Sequence, residues 1–131
     1  MSEGFKVLVT GAAGLLGSHM VDLLLSKNFT VHVIDNLYGG RLSNLKDHEK
    51  NKDLIFTKKD IRLVSDNNQI FSGVDVIFHF AGIGDIVPSI DRPKEYLEVN
   101  SQGTVKILEC ARNNNIKNFV YAASSSCYGK A

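Results

Sequence analysis

Gly11, Gly14 and Gly17 stand three apart, directly after a short apolar run and at the mouth of an apolar helical pattern. Glycine suits such a turn because a side chain would block both the tight bend and the approach of a phosphate to the backbone. The free N–H groups and partial positive charge of a helix amino terminus then favour an anion. The spacing alone fits plain turn chemistry equally well, but its place between a strand and a helix favours a phosphate cradle. Asp35 closes the next apolar run, where a carboxylate can accept from both hydroxyls of a ribose. The same charge repels a phosphate on that ribose by roughly 4 kcal/mol per charge pair at about 4 Å and an effective dielectric of about 20. The pattern points to a dinucleotide, with NAD preferred to NADP. Arg41 lies close enough in sequence to weaken that preference, although an exposed loop arginine is more often simply solvated.

Other reactive side chains have plainer readings. Asp60 could accept from an adenine amino group or cap the helical turn that begins near Arg62. His79 ends an apolar strand and reads as a satisfied core histidine without an acid/base role. His19 is expected to pack between the first helix and the sheet, and Cys127 to be a small buried packing residue. The two cysteines, Cys110 and Cys127, form no disulfide framework and match no metal-ligand spacing.

These residues need a scaffold, and the chain offers one. Phe5 to Thr10, Thr30 to Asp35, Leu54 to Thr57, Val74 to Phe80 and Asn118 to Ala123 read as buried strands. Between them lie a helix from Leu15 to Lys27 and a loop from Asn36 to Lys52 with a short helix near Leu42 to Asp47. A weaker helix is expected from Leu63 to Phe71. A longer one opens at Pro93, runs to about Arg112 and is stopped by Asn113-Asn114-Asn115. In the first helix, Leu15, Leu16, Met20, Val21, Leu23, Leu24 and Leu25 suggest a wide buried face. Alternation of this kind predicts an α/β fold, a Rossmann-type doubly wound parallel sheet broken off after about the fifth strand, as one domain over residues 1–131.

Bulk properties agree. With 131 residues, 44% hydrophobic and 22% charged, the chain suits a single globular core. Fifteen basic against fourteen acidic residues leave +1 with no basic patch, which disfavours nucleic acid and membrane surfaces as partners. No apolar run approaches a bilayer span and no cleavable leader is evident, so a cytoplasmic protein is expected.

Six motifs occur in order: Thr10-Gly11-Ala12-Ala13-Gly14-Leu15-Leu16-Gly17-Ser18-His19, Asp35-Asn36-Leu37, Asp60-Ile61, His79-Phe80-Ala81-Gly82, Asn100 with Gly103-Thr104, and Ser124 to Gly129. Over essentially the whole chain they resemble the extended short-chain dehydrogenase/reductases, in particular the UDP-sugar 4-epimerases. The resemblance implies that Gly11, Gly14, Leu15, Leu16 and Gly17 surround the pyrophosphate of NAD. Asp35 and Asn36 would meet the adenosine ribose, and Asp60 and Ile61 would flank the adenine. Phe80, Ala81 and Gly82 would pass under the cofactor, with Asn100 supporting the active-site edge. Ser124 is implied as the catalytic hydroxyl, and Ser89, Ser124 and Ser126 as substrate contacts to a nucleotide-sugar. No metal is implied.

The resemblance also bears on the reaction. Dehydratase relatives carry an acidic pair after the position of Ser124, whereas Ser125 and Ser126 stand here, and without an acid to protonate the leaving hydroxyl an elimination loses its catalyst. Epimerisation at C4 by reversible hydride transfer, or a simple oxidoreductase reaction, is preferred. Gly84 departs from some 4-epimerases, which place a lysine near that position, so the sugar stays open. The implied tyrosine base needs a lysine four residues later, and none of Tyr38, Tyr96, Tyr121 and Tyr128 has one. Two readings therefore stand: part of a homodimeric epimerase, or an NAD-binding module without catalysis. In either, a sticky flank near Tyr96 to Ala111 is expected.

Overall fold

The structure, a computed structural model, describes residues 4–67 and 69–130. Five parallel strands are ordered β3-β2-β1-β4-β5, with β1 Lys6–Thr10, β2 Thr30–Asp35, β3 Leu54–Lys58, β4 Val76–His79 and β5 Asn118–Tyr121. β1 is central. It pairs with β2 from Lys6↔Thr30 to Thr10↔Ile34, and with β4 from Val7↔Val76 to Thr10↔His79. The winding reverses between β1 and β4, so a crevice opens there at the carboxyl ends of the strands.

Side chains on a strand alternate between faces, and β1 shows both. Val7 and Val9 join Val31 and Val33 against Val21, Leu24 and Leu25 of helix α1, Leu15–Ser26. Leu8 joins Ile34 and Ile77 on the other face, against Ile61, Phe71, Ile107 and Cys110. Apolar layers on both sides explain why β1 is almost continuously hydrophobic. The doubly wound parallel sheet expected from the sequence is thereby observed.

The helices depart from expectation in instructive ways. Leu15, Leu16 and Leu23 of α1 are exposed, so its buried face is narrower than predicted. His19 also faces solvent, beside Asp22, rather than packing on the sheet. Instead of one helix from Leu63 to Phe71 there are two single 3₁₀ turns, Ile61–Leu63 and Gln69–Phe71. The short helix near Leu42 is a 3₁₀ segment, Leu42–His48. A short helix α2, Val87–Asp91, precedes the proline that opens α3, Pro93–Leu97. α3 passes through a π-helical segment, Glu98–Gly103, into α4, Thr104–Asn113. The asparagine stop is observed: Asn115 adopts φ +57° and the chain turns back with Ile116 N–H donating to Ala111 O at 2.9 Å. Cys127 is exposed, against expectation, and Cys110 is buried. Among the described residues no helix is long and apolar enough to cross a membrane.

Candidate functional site

Each strand end contributes to the crevice. After β1, Gly11 adopts φ +68°, and a Cβ there would lie 2.7 Å from Ala81 N and from the carbonyl carbon of Phe80. The β1–α1 turn thus rests directly on the chain leaving β4, which only glycine permits. Gly14 precedes the first turn of α1, where no side chain caps the helix and no acidic residue occupies the end. Its amino-terminal N–H groups are left for an anion. Gly17 does a different job. A Cβ there would come within 2.7 Å of Ala12 Cα and 2.8 Å of Gly11 C, so this glycine lets α1 pack onto the turn.

Asp35, only 8% exposed, points at that turn. Its Oδ2 accepts from Ala13 N–H at 2.9 Å and its Oδ1 from Leu37 N–H at 2.7 Å. Each ionised oxygen offers about two acceptor sites, so capacity remains for ribose hydroxyls. Leu37 itself sits at φ +62°, a conformation uncommon for a branched side chain, and the Asp35 bond holds it there. Asn36 accepts from Tyr38 N–H at 3.0 Å.

Asp60 takes the capping role that was one of the two readings offered for it. Its Oδ1 caps the turn by accepting from Arg62 N–H at 2.8 Å, and the residue lines the crevice. The Arg62 guanidinium grips the same carboxylate through Nε and Nη2, the latter at 2.7 Å, and reaches Glu98 at 3.4 Å. Those hydrogen bonds from Arg62 hold the Asp60 carboxyl below its usual range, against the opposing effect of partial burial. Ile61 packs against Gly103, where a Cβ would lie 2.6 Å from Ile61 Cδ1.

On the other wall, Phe80, Ala81 and Gly82 follow β4. Asn100 clamps the next residue from both sides: its Oδ1 accepts from Ile83 N–H at 2.8 Å and its Nδ2 donates to Ile83 O at 3.0 Å. Asn100 acts through this loop rather than lining the crevice itself.

The result is an open crevice of about 700 Å³ lined by Gly11, Gly14, Leu15, Asp35, Asp60 and Phe80 among others. That volume lies in the range of small-molecule and cofactor sites. A smaller hollow of about 340 Å³ beside Leu45, Leu54 and Phe56 gathers none of the residues singled out in the sequence. Leu16 and Gly17 stand outside the crevice lining, as do the serines. Ser89 donates its hydroxyl to Ile86 O. Ser124 and Ser126 are exposed on a 3₁₀ turn, Ser125–Tyr128, where Ser124 Oγ accepts from Ser126 N–H at 3.2 Å. The crevice lining thus gathers Gly11, Gly14, Leu15, Asp35, Asn36, Asp60, Ile61, Phe80, Ala81 and Gly82, while Leu16, Gly17, Asn100 and the three serines lie outside it.

A family model described as "NAD dependent epimerase/dehydratase family" matches residues 7–131. The chain belongs to this family. Among curated relatives, UDP-glucose 4-epimerase of Schizosaccharomyces pombe is 34% identical over 127 residues, covering 94% of this chain and 36% of its own length. UDP-glucose 4-epimerase of Klebsiella pneumoniae is 34% identical, with 95% of this chain and 92% of that sequence covered. Among solved structures, UDP-N-acetylglucosamine 4-epimerase from Methanobrevibacter ruminantium aligns with a TM-score of 0.87 at 32% identity, covering 100% of this chain and 41% of the other. The chain thus spans well under half of most of the relatives it matches, 36% to 42% of the S. pombe, pea and Bacillus subtilis proteins among them.

Sequence reasoning missed two contributors to this crevice, Gly40 and Tyr38. Gly40 brings its loop against the turn, since a Cβ there would meet Ala13 Cβ at 2.8 Å. Tyr38 lines the crevice and receives a hydrogen bond from Arg92 at 2.7 Å. The glycine pair at 39–40 is a signal for the first. Nothing local could announce the second, which joins residues 54 positions apart.

Proposed function

We propose that the crevice holds NAD and that the chain is the cofactor-binding part of a nucleotide-sugar 4-epimerase acting on a UDP-sugar. One observation carries the reading: the Asp35 carboxylate and the bare amino terminus of α1 meet at one sheet edge, joined by the Ala13–Asp35 hydrogen bond. Gly11 and Gly17, where a Cβ would strike the protein's own backbone, let the β4 exit and α1 pack closely against the turn that faces the crevice. In this arrangement the N–H groups around Gly14 receive the pyrophosphate, Asp35 the adenosine ribose, and Asp60 with Ile61 the adenine. The crevice is acidic, with Asp35, Asp60, Asp85 and Glu95 against Lys59 and Arg62, and Arg62 is tied to Asp60 and Glu98. The phosphate charge is met by the main-chain N–H groups at the start of α1, since Arg62 is already engaged by Asp60 and Glu98. NAD, when bound, supplies the hydride acceptor for oxidation at the sugar carbon.

The 4-epimerase assignment rests on the relatives. A UDP-glucuronic acid 4-epimerase from Bacillus cereus, solved with a fluorinated UDP-sugar and NAD, aligns at 29% identity with a TM-score of 0.86. Ser125 and Ser126 in place of an acidic pair support epimerisation over dehydration. The exposed Leu97, Val105 and Leu108 on α3 and α4 support a homodimer of the whole enzyme. A second reading, an NAD-binding module without catalysis, draws on the placement of Ser89, Ser124 and Ser126 outside the crevice.

Calorimetric titration tests the first step. One NAD should bind per chain, at least tenfold tighter than NADP; equal affinities would defeat the Asp35 argument. The coding sequence beyond Ala131 separates the two readings: a Tyr-x-x-x-Lys about twenty residues on is expected for the enzyme, and a stop codon refutes it.

A further inference from the structure

A buried chain of hydrogen bonds runs from one wall of the crevice, through the core, to the π segment behind it. Ala81 N–H donates to Thr10 Oγ1 at 3.2 Å, and Thr10 Oγ1 lies 2.7 Å from His79 Nδ1. On the other side of the ring His79 Nε2 lies 2.9 Å from Thr104 Oγ1, which donates to Asn100 O at 2.7 Å. Thr10 and His79 are fully buried, so these groups have one another and no solvent.

Each threonine hydroxyl has a single proton, and this settles every direction. Thr104 spends its proton on Asn100 O, so it can only accept from the imidazole, and Nε2 must carry the ring hydrogen. Nδ1 is then the acceptor, so Thr10 donates to it while accepting from Ala81. All donors point the same way, from the loop after β4 to the carbonyl of Asn100. Asn100 in turn clamps Ile83 through both its side-chain atoms, which closes the path back onto the crevice wall. His79 is also flanked by the rings of Phe119 and Tyr121, with centroids 5.6 and 5.8 Å away.

We propose that His79 is a positioning residue: locked as the Nε2–H tautomer between Thr10 and Thr104, it fixes the Ala81–Ile83 loop and the π segment in one relative arrangement. The imidazole does no proton transfer. It is a spacer with a donor on one end and an acceptor on the other, the combination the two hydroxyls require. Burial supports the assignment, since it pushes the His79 pKa down to about 4 and keeps the ring neutral. The consequence for cofactor affinity rests on the reading that this loop lies under NAD; the tautomer and the loop's rigidity do not.

The test combines spectroscopy with two variants at Thr104. In a uniformly ¹⁵N-labelled chain, imidazole correlations should show His79 as Nε2–H alone; the Nδ1–H form or averaging between the two overturns the proposal. Thr104→Val keeps the shape and removes the hydroxyl, whereas Thr104→Ser keeps the hydroxyl and removes a methyl. If the hydroxyl matters, Val should speed exchange of the Ile83 amide and weaken NAD binding about fivefold to tenfold, as expected for one hydrogen bond. Ser should restore both to near the wild-type value. A role in packing alone predicts the reverse order, with Ser worse than Val, and would overturn the assignment, as would unchanged exchange in Thr104→Val. Should the wild-type chain fail to bind NAD, the site reading falls, and tautomer with Ile83 exchange still decides the role of His79.

Discussion

Replacing Asp35 by Asn keeps the shape of the side chain and removes one acceptor. In the native structure each carboxylate oxygen takes one main-chain N–H, from Ala13 at 2.9 Å and from Leu37 at 2.7 Å. An amide has one oxygen, so one of those N–H groups would face an NH₂. A hydrogen bond to a charged group contributes about 1.5–3 kcal/mol, and a donor left unpaired in a largely buried place costs about 1–3 kcal/mol. These overlap, and about 3 kcal/mol is the expected total, lowering Tm by roughly 10 °C for a domain of this size. Because Leu37 is held at positive φ by one of the bonds, the β2 exit loop should loosen with it. Thermal melting and calorimetry together read the effect: Asp35→Asn should melt lower and lose NAD affinity, while its discrimination against NADP falls. A Tm within about 2 °C of wild type, or an unchanged ratio of NAD to NADP affinity, would refute the view that this carboxylate both builds the turn and selects the ribose.

Gly11→Ala combines positive φ with a Cβ 2.7 Å from Ala81 N, whereas Gly73→Ala has φ +71° and open space around it. Urea unfolding should show a loss of about 3 kcal/mol for the first and about 1 kcal/mol for the second; equal losses would mean that the contact under the turn is unimportant. Acid should weaken the fold early, because burial holds His79 at about 4 in the native state against 6.5 in the unfolded chain. Between those values the unfolded chain binds a proton that the native state does not, so stability falls as pH drops from 6.5 to 4, by about 3 kcal/mol in all. His32, also lowered by burial, acts in the same direction, and a flat urea midpoint across that range would contradict both. Thiol titration of the native chain should label Cys127, which is exposed, and spare Cys110, which is buried and whose pKa burial raises to about 12. Unfolding should release the second thiol, and two fast thiols in the native state would be the wrong result.

The strands and the glycine turn are readable because they depend on local pattern: β-branched runs, glycines at fixed spacing and an acid at a strand end. Helix α1 shows where composition misleads and pattern does not. At about 100° per residue, Gly17, Ser18, Val21, Leu24 and Leu25 share one arc, and His19 and Leu23 lie opposite it, as the structure finds. Counting leucines hides what the angles contain. The segment from Ile61 to Phe71 breaks into two turns rather than winding as a helix, and Ser65-Asp66-Asn67 interrupts its apolar pattern. The π segment and the His79 relay are not legible at all, because they arise from contacts between distant parts of the chain: Gly103 beneath Ile61, Glu98 beside Arg62, Thr104 against His79. The serines follow from a family motif, and motif order says nothing of whether a loop reaches the crevice.

Insertions and deletions in surface helices are usually judged by exposure, and by that measure the helix that starts at Pro93 would tolerate them over much of its length. The π turn does not. It holds more residues per turn than an α-helix, so removing one residue between Glu98 and Gly103 would restore regular winding with both flanks still facing as before, and the change would fall on the turn itself. Asn100 would then shift from its place against Ile83, while Ile107 and Cys110 stayed in the core. Length at this point is therefore as constrained as residue identity, and a gap placed here when aligning a new sequence marks a rebuilt site rather than a neutral trimming.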